Sequence, residues 1–224
     1  MRAFLRNNSL SIVFLILFLG AILFQSIAGH ADFNEDQVRH GDPQISYGRY
    51  LVSSEFATAV MENWQSEYLQ FTLFILLTVW LLQRGSPESK ELHRAGGESD
   101  EDQQVGEHAG PESPRWARAD GFRRKLYENS LVIVMATIWV ATWLSQSLTG
   151  VTQYNADRLD HHEAPVSWLT YLTKPDFWEK TLQNWQSEFL AVASMAILAV
   201  YLRQRGSPES KPVGVSHDAT GATG

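Results

Sequence analysis

The sequence predicts an all-α fold: an integral membrane four-helix bundle made of two tandem helical hairpins. Three observations predict it. Apolar residues gather into four runs, Leu10–Phe24, Tyr68–Leu82, Leu131–Leu144 and Phe189–Leu202, and none of these holds a charged side chain. Polar loops and tails dilute the runs to a slightly negative mean hydropathy, as in a small polytopic membrane chain. The chain also matches itself: residues 5–90 align with 126–211 without a gap, about four in ten positions being identical, well above the coincidence of short motifs. Finally, Lys and Arg cluster on one side of all four runs. Each repeat holds two runs, an even number, so both copies enter the bilayer the same way up, as a parallel internal repeat.

The strictly apolar cores are short, roughly 14–15 residues against the ~20 that cross a bilayer, so each span must draw in polar flanks. Run 1 follows Arg2 and Arg6 and takes in Gln25 and Ser26. Its basic start, apolar stretch and Gly29-His30-Ala31 before Asp32 share features with a cleaved signal peptide. The matching run at 131–148 lies mid-chain and cannot be one, which favours a retained span. Loop 30–62 is acidic, with Arg39 and Arg49 its only strong bases. Run 2 begins near Asn63, in a helix that Ser53 or Ser54 can cap, and is expected to run to Arg84, with Gly85 as a left-handed stop.

Arg84, Lys90 and Arg94 follow run 2, and Arg115, Arg118, Arg123, Arg124 and Lys125 precede run 3. Between them residues 95–114 carry Gly96-Gly97 and several acids, and read as a solvated linker. Run 3 draws in Gln146 and Ser147; loop 150–183 is again acidic. Run 4 belongs to a helix opened by Pro175-Asp176 and stopped by Gly206, with Arg203, Arg205 and Lys211 behind it. The positive-inside rule places both termini and the linker in the cytoplasm of a bacterial inner membrane. The resulting division is 1–94, first transmembrane hairpin repeat; 95–114, flexible acidic cytoplasmic linker; 115–211, second transmembrane hairpin repeat; 212–224, disordered tail.

Candidate site residues sit in the flanks that the spans draw in. The pentapeptide N-W-Q-S-E occurs at 63–67 and at 184–188, each time leading into an apolar run. Counting 1.5 Å per residue from Arg6 and from Arg84 puts Gln25 and Glu67 close to one outer boundary, about 25–28 Å away. Gln25, Ser26, Asn63, Ser66 and Glu67 thus form one polar layer, and Gln146, Ser147, Asn184, Ser187 and Glu188 repeat it. Asn and Glu four apart share a helix face, whereas Trp64 and Trp185 suit the interfacial aromatic belt. The preferred reading is a hydrogen-bonded clasp fixing each hairpin's register. The alternative is an ion- or proton-handling site at Glu67 and Glu188, because intramembrane carboxylates are costly to keep.

Other chemistries find little support. The chain has no cysteine, which excludes disulfides, thiol catalysis and Cys-ligated metals, and its net charge of −7 does not suit nucleic acid. His40 and the His161-His162-Glu163 stretch match no metal motif, and no Walker loop, nucleophile elbow or dinucleotide fingerprint occurs. No catalytic residue, metal or cofactor is expected, and an enzyme working through the outer loops ranks last. The partners implied are the lipid bilayer and either a second copy of the chain or another membrane protein.

G-H-A-D-F-N-E-D-Q, E-N-W-Q-S-E and Q-R-G-S-P-E-S-K together resemble an uncharacterised family of small, largely actinobacterial four-span membrane proteins, a domain of unknown function. The resemblance covers nearly the whole chain. It implies a bacterial membrane protein and brings no activity, substrate or assigned site with it.

Overall fold

The computed structural model describes residues 2–222, and every regular element among them is helical. In chain order these are α1 (Arg2–Asn7), α2 (Ser9–His40), α3 (Tyr47–Leu51), α4 (Ser54–Leu77), α5 (Phe122–Glu128), α6 (Ser130–Asp160), α7 (Trp168–Tyr171) and α8 (Pro175–Tyr201), with one 3₁₀ turn at Gly106–His108. Among the described residues two helices, α2 and α6, are long and apolar enough to cross a membrane. The second and fourth expected spans, in α4 and α8, fall short of that standard for a visible reason. Each helix spends its first half on polar residues, Glu55, Glu62, Asn63 and Glu67 in α4 and Asp176, Glu179, Asn184 and Glu188 in α8.

The chain divides into two compact units, Met1–Val60 with Gln146–Trp168, and Met61–Ser145 with Leu169–Gly224. In the first unit two loops close in the same way. Asn34 Oδ1 accepts the Ile45 amide at 2.8 Å, while its Nδ2 donates to the Ile45 carbonyl at 3.0 Å. Asn155 holds Val166 through the same two bonds, at 2.8 and 2.9 Å. A side-chain amide is a peptide group in miniature, so it extends the helix's bonding pattern to the returning strand of backbone.

The helix ends preceding these loops also match. The Gly41 amide bonds the Val38 carbonyl and the Asp42 amide the Gln37 carbonyl, with Gly41 at φ +83°. His162 and Glu163 make the equivalent bonds to Leu159 and Arg158, although His162 must then hold φ +59°. This is the Schellman stop, in which a left-handed residue lets the last carbonyls find amides. Glycine adopts it freely; histidine does so at a cost.

Gly29 shows a second close approach. A Cβ there would lie 2.2 Å from the Tyr50 hydroxyl, and Tyr50 is itself buried against His30, Phe33 and Phe56.

In the second unit Trp143 stacks among Phe177, Trp178 and Trp185, and Phe177 packs edge-on to Tyr171. Aromatic edges and faces of opposite partial charge favour such tilted pairs over flat sandwiches. The Q-R-G-S-P-E-S-K segments fold alike, but not as the helix stops the sequence suggests. The helices end earlier, at Leu77 and Tyr201, and Gly85 and Gly206 take φ +80° and +79° within the turn that follows. The reason is a competing acceptor. Ser89 Oγ takes the Gln83 amide at 3.0 Å and Ser210 Oγ the Gln204 amide at 2.9 Å, so neither amide needs a helical partner.

The segments at either side of these turns are tied down by bases. Lys90 pairs with Glu98 at 3.2 Å and donates to the Gly96 carbonyl. Lys211 is buried, and its ammonium donates to the carbonyls of Ser216, His217 and Ala219 at 3.2, 2.8 and 3.2 Å. Three donors meeting three acceptors is the arrangement a buried ammonium requires, and burial holds its pKa below the usual lysine value. The Gly85 amide is met by the Thr220 hydroxyl at 2.9 Å and the Ser86 carbonyl by the Gly221 amide, so backbone of the 212–222 stretch has specific partners.

Candidate functional site

The polar flanks singled out above are held by helices α2, α4, α6 and α8. On α2 the Gln25 side chain is exposed and Ser26 is buried. Ser26 Oγ donates to the Leu23 carbonyl and shares a 2.6 Å bond with the Tyr47 hydroxyl. On α6 Ser147 is buried too and accepts the Trp168 indole N–H at 3.0 Å. Both serines therefore receive a ring-borne donor from a short helix, α3 or α7. Gln146 is buried beside Ser147, and its Oε1 has no hydrogen-bond partner among the described residues.

The two pentapeptides face different surroundings. In α4, Gln65 and Ser66 are fully buried, at 0% and 1% exposure, whereas Asn63 and Glu67 are exposed. In α8, Gln186 and Ser187 are exposed while Asn184, Trp185 and Glu188 are half-buried. The serines do the same local work in each copy: Ser66 Oγ donates to Asn63 O at 2.9 Å and Ser187 Oγ to Asn184 O at 2.8 Å. Asn184 donates to the Lys180 carbonyl of its own helix at 2.8 Å. Much of the expected layer is thus spent on helix carbonyls one turn back.

A bond that joins the two pentapeptides is one that the motif's spacing does not single out. Trp185 Nε1–H donates to Gln65 Oε1 at 2.7 Å, and Gln65 Nε2 donates to the Glu62 carbonyl. Gln65 sits midway between Asn63 and Glu67, on the face that the Asn–Glu pairing leaves out, so a reading built on that pair passes over it. Trp185 also lies tilted against Trp143, whose own Nε1–H reaches Thr181 Oγ1 at 3.4 Å. Trp64 is half-buried. Glu67 and Glu188 do lie within electrostatic reach of each other.

The histidines at and beyond the ends of α2 and α6 are engaged locally. His161 Nδ1 lies 2.8 Å from the Asp157 carbonyl, which raises its pKa, and His40 stands likewise 3.0 Å from the Asp36 carbonyl. Glu163 pairs with Arg158 at 2.6 Å. Among the described residues no group of three or more His, Cys, Asp or Glu side chains is placed to share a metal ion. The arrangement offers neutral hydrogen bonds, stacked indoles and two neighbouring carboxyls.

The fold is that of an all-helical protein with two helices, among the described residues, apolar enough to cross a membrane. The chain belongs to the DUF6766 family, a domain of unknown function, whose sequence model matches residues 1–222. No curated protein matches it. No solved structure does either.

Proposed function

We propose that this chain is a four-span protein of a bacterial cytoplasmic membrane, built of two tandem hairpins with both termini inside, and that its role is structural or accessory. The observation that carries the reading is the surface of α2. Phe14, Leu15, Ile16 and Leu17 are each more than half exposed, as are Leu10 and Phe24 at 74% and 71%. Successive residues step round a helix by about 100°, so these four cover its whole circumference. A helix apolar on every side and uncovered by its own chain calls for an apolar surrounding: acyl chains, with a second copy or another membrane protein along part of the face. The matching Asn–backbone loops, Schellman stops and Ser–ring contacts support a duplicated hairpin, and they are packing devices. The asymmetry of Lys and Arg supports the orientation.

Single cysteines test this, because the native chain has none. Cysteines replacing Asp42 and Asp160 should react with an impermeant thiol reagent in whole cells, and one replacing Glu98 should react only after lysis. Labelling at Glu98 alone in intact cells would reverse the orientation, and equal labelling at all three sites in a soluble fraction would remove the membrane reading.

The proximity of Glu67 and Glu188 favours one second reading, a small ion- or proton-coupled transporter. A Glu67→Gln, Glu188→Gln double variant that keeps its abundance in vesicles but loses a pH- or cation-dependent flux would establish it. Vesicles of the native chain that show no such flux would dismiss it.

A further inference from the structure

A cavity of about 520 Å³ lies between α4 with its following turn and α8, within the second unit. Ligand sites commonly span roughly 300–1,000 Å³, whereas packed interiors leave few voids larger than a water molecule. Its walls are two apolar stripes: Leu73 and Leu77 of α4 with Leu81 beyond its end on one side, and Val192, Ala193 and Ala196 of α8 on the other. The alanines explain the space, since side chains that short cannot reach leucines opposite.

One end of the cavity is polar. Gln83, Ser89 and Glu88 close it, and Glu88 hydrogen-bonds the carboxyl of Glu209, its counterpart in the second Q-R-G-S-P-E-S-K. Two carboxyls in contact repel unless they share a proton or meet a cation. Three of the bases nearby in sequence are committed elsewhere: Lys90 to Glu98 and the Gly96 carbonyl, Lys211 to three carbonyls, and Arg203 to carbonyls at the end of α8; Arg84 and Arg205 are exposed, and neither lowers the pKa of Glu88. No base acts on Glu88, and its pKa is pushed up to about 7 by the bond to Glu209, then by burial and by the Glu209 charge. The walls are mostly hydrocarbon, and the end carries two carboxyls in contact.

We propose that this cavity binds a single-chain amphiphile with a protonated amine head, its hydrocarbon lying between the two stripes and its ammonium at Glu88 and Glu209. The ammonium displaces the shared proton and supplies the missing positive charge; the alkyl chain fills space that the alanines leave open. This reading needs only the second unit and does not depend on the number of spans.

The test uses the full chain in lipid nanodiscs at neutral pH. It is photolabelled with dodecylamine carrying a diazirine at the far end of its alkyl chain, and in parallel with the corresponding alcohol. The amine should label residues 73–82 and 189–196, be displaced by excess dodecylamine, and lose about tenfold or more of its labelling in a Glu88→Gln, Glu209→Gln variant of unchanged helicity. Ala193→Phe, which fills the cavity and leaves the carboxyls alone, should abolish labelling as well. Equal labelling by the alcohol, or by the double Gln variant, overturns the assignment of the head. Labelling that survives Ala193→Phe, or that spreads along α2, overturns the assignment of the cavity.

Discussion

The two copies of N-W-Q-S-E have one sequence and two environments, whereas the two loops that follow α2 and α6 differ in sequence and share one geometry. Gln65 is buried and Gln186 exposed, and Ser66 and Ser187 differ in the same sense. By contrast, Asn34–Ile45 and Asn155–Val166 close with bonds that agree within about 0.1 Å, although few of the residues between them match. The loops are set by contacts internal to each copy, an asparagine bonding backbone eleven residues on. The pentapeptides are set by what packs against their helices, and an identical sequence does not bring identical neighbours with it.

The strongest way to break this comparison is at matched aromatic positions. Phe177 is buried at 2% exposure and Phe56, its counterpart, is half-buried. Phe177→Ala should cost about 3–5 kcal/mol and Phe56→Ala roughly 1–2 kcal/mol, read from denaturant titrations; equal losses would mean that the copies share one environment after all. Asn34→Ala and Asn155→Ala should each cost about 1–3 kcal/mol, because each strands one amide, that of Ile45 or of Val166. Hydrogen exchange at the Ile45 and Val166 amides checks this directly, and a large difference between the two would break the equality of the loops.

At the pentapeptides the opposite is expected. Gln65→Leu strands the Trp185 indole N–H and should cost about 1–3 kcal/mol, while Gln186→Leu should stay within about 0.5 kcal/mol. A smaller effect sharpens the helix stops: His162→Gly should stabilise by about 0.5–1 kcal/mol, since it relieves a left-handed histidine where the other copy has Gly41.

A further effect concerns pH at the two turns. Glu88 titrates near 7 in the fold against 4.5 when unperturbed, so the folded state holds the proton more tightly. Its contribution is present in full below pH 4.5 and is lost as pH rises through 7. Melting temperature should fall across that window in the native chain and flatten in Glu88→Gln.

Much of the helical layout was legible because it rests on local rules. Ser53 Oγ accepts the Phe56 amide at 3.2 Å as an N-cap should, and Pro175 opens α8 at its first turn. The helix stops were not legible, because Ser89 and Ser210 compete for amides from six residues away and nothing in a helical period announces that. The polar layer was legible as residues and less so as contacts. Ser26 and Ser147 are buried and bonded, but to Tyr47 and Trp168 in short helices that no apolar run marks. Gln65 escaped notice because a glutamine's worth depends on the partner it meets, here an indole in the other copy. The Glu88–Glu209 contact depends likewise on two turns meeting, which no spacing within either turn encodes.

The bonds from Lys211 to the carbonyls of Ser216, His217 and Ala219 bear on how this protein is tagged and followed in cells. A reporter fused directly after Lys211 would strip away all three acceptors and leave an ammonium with no solvation but its own burial. A reporter joined beyond Gly221 keeps them. Fluorescence from the two fusions at equal expression should therefore differ, with the shorter one cleared by quality control.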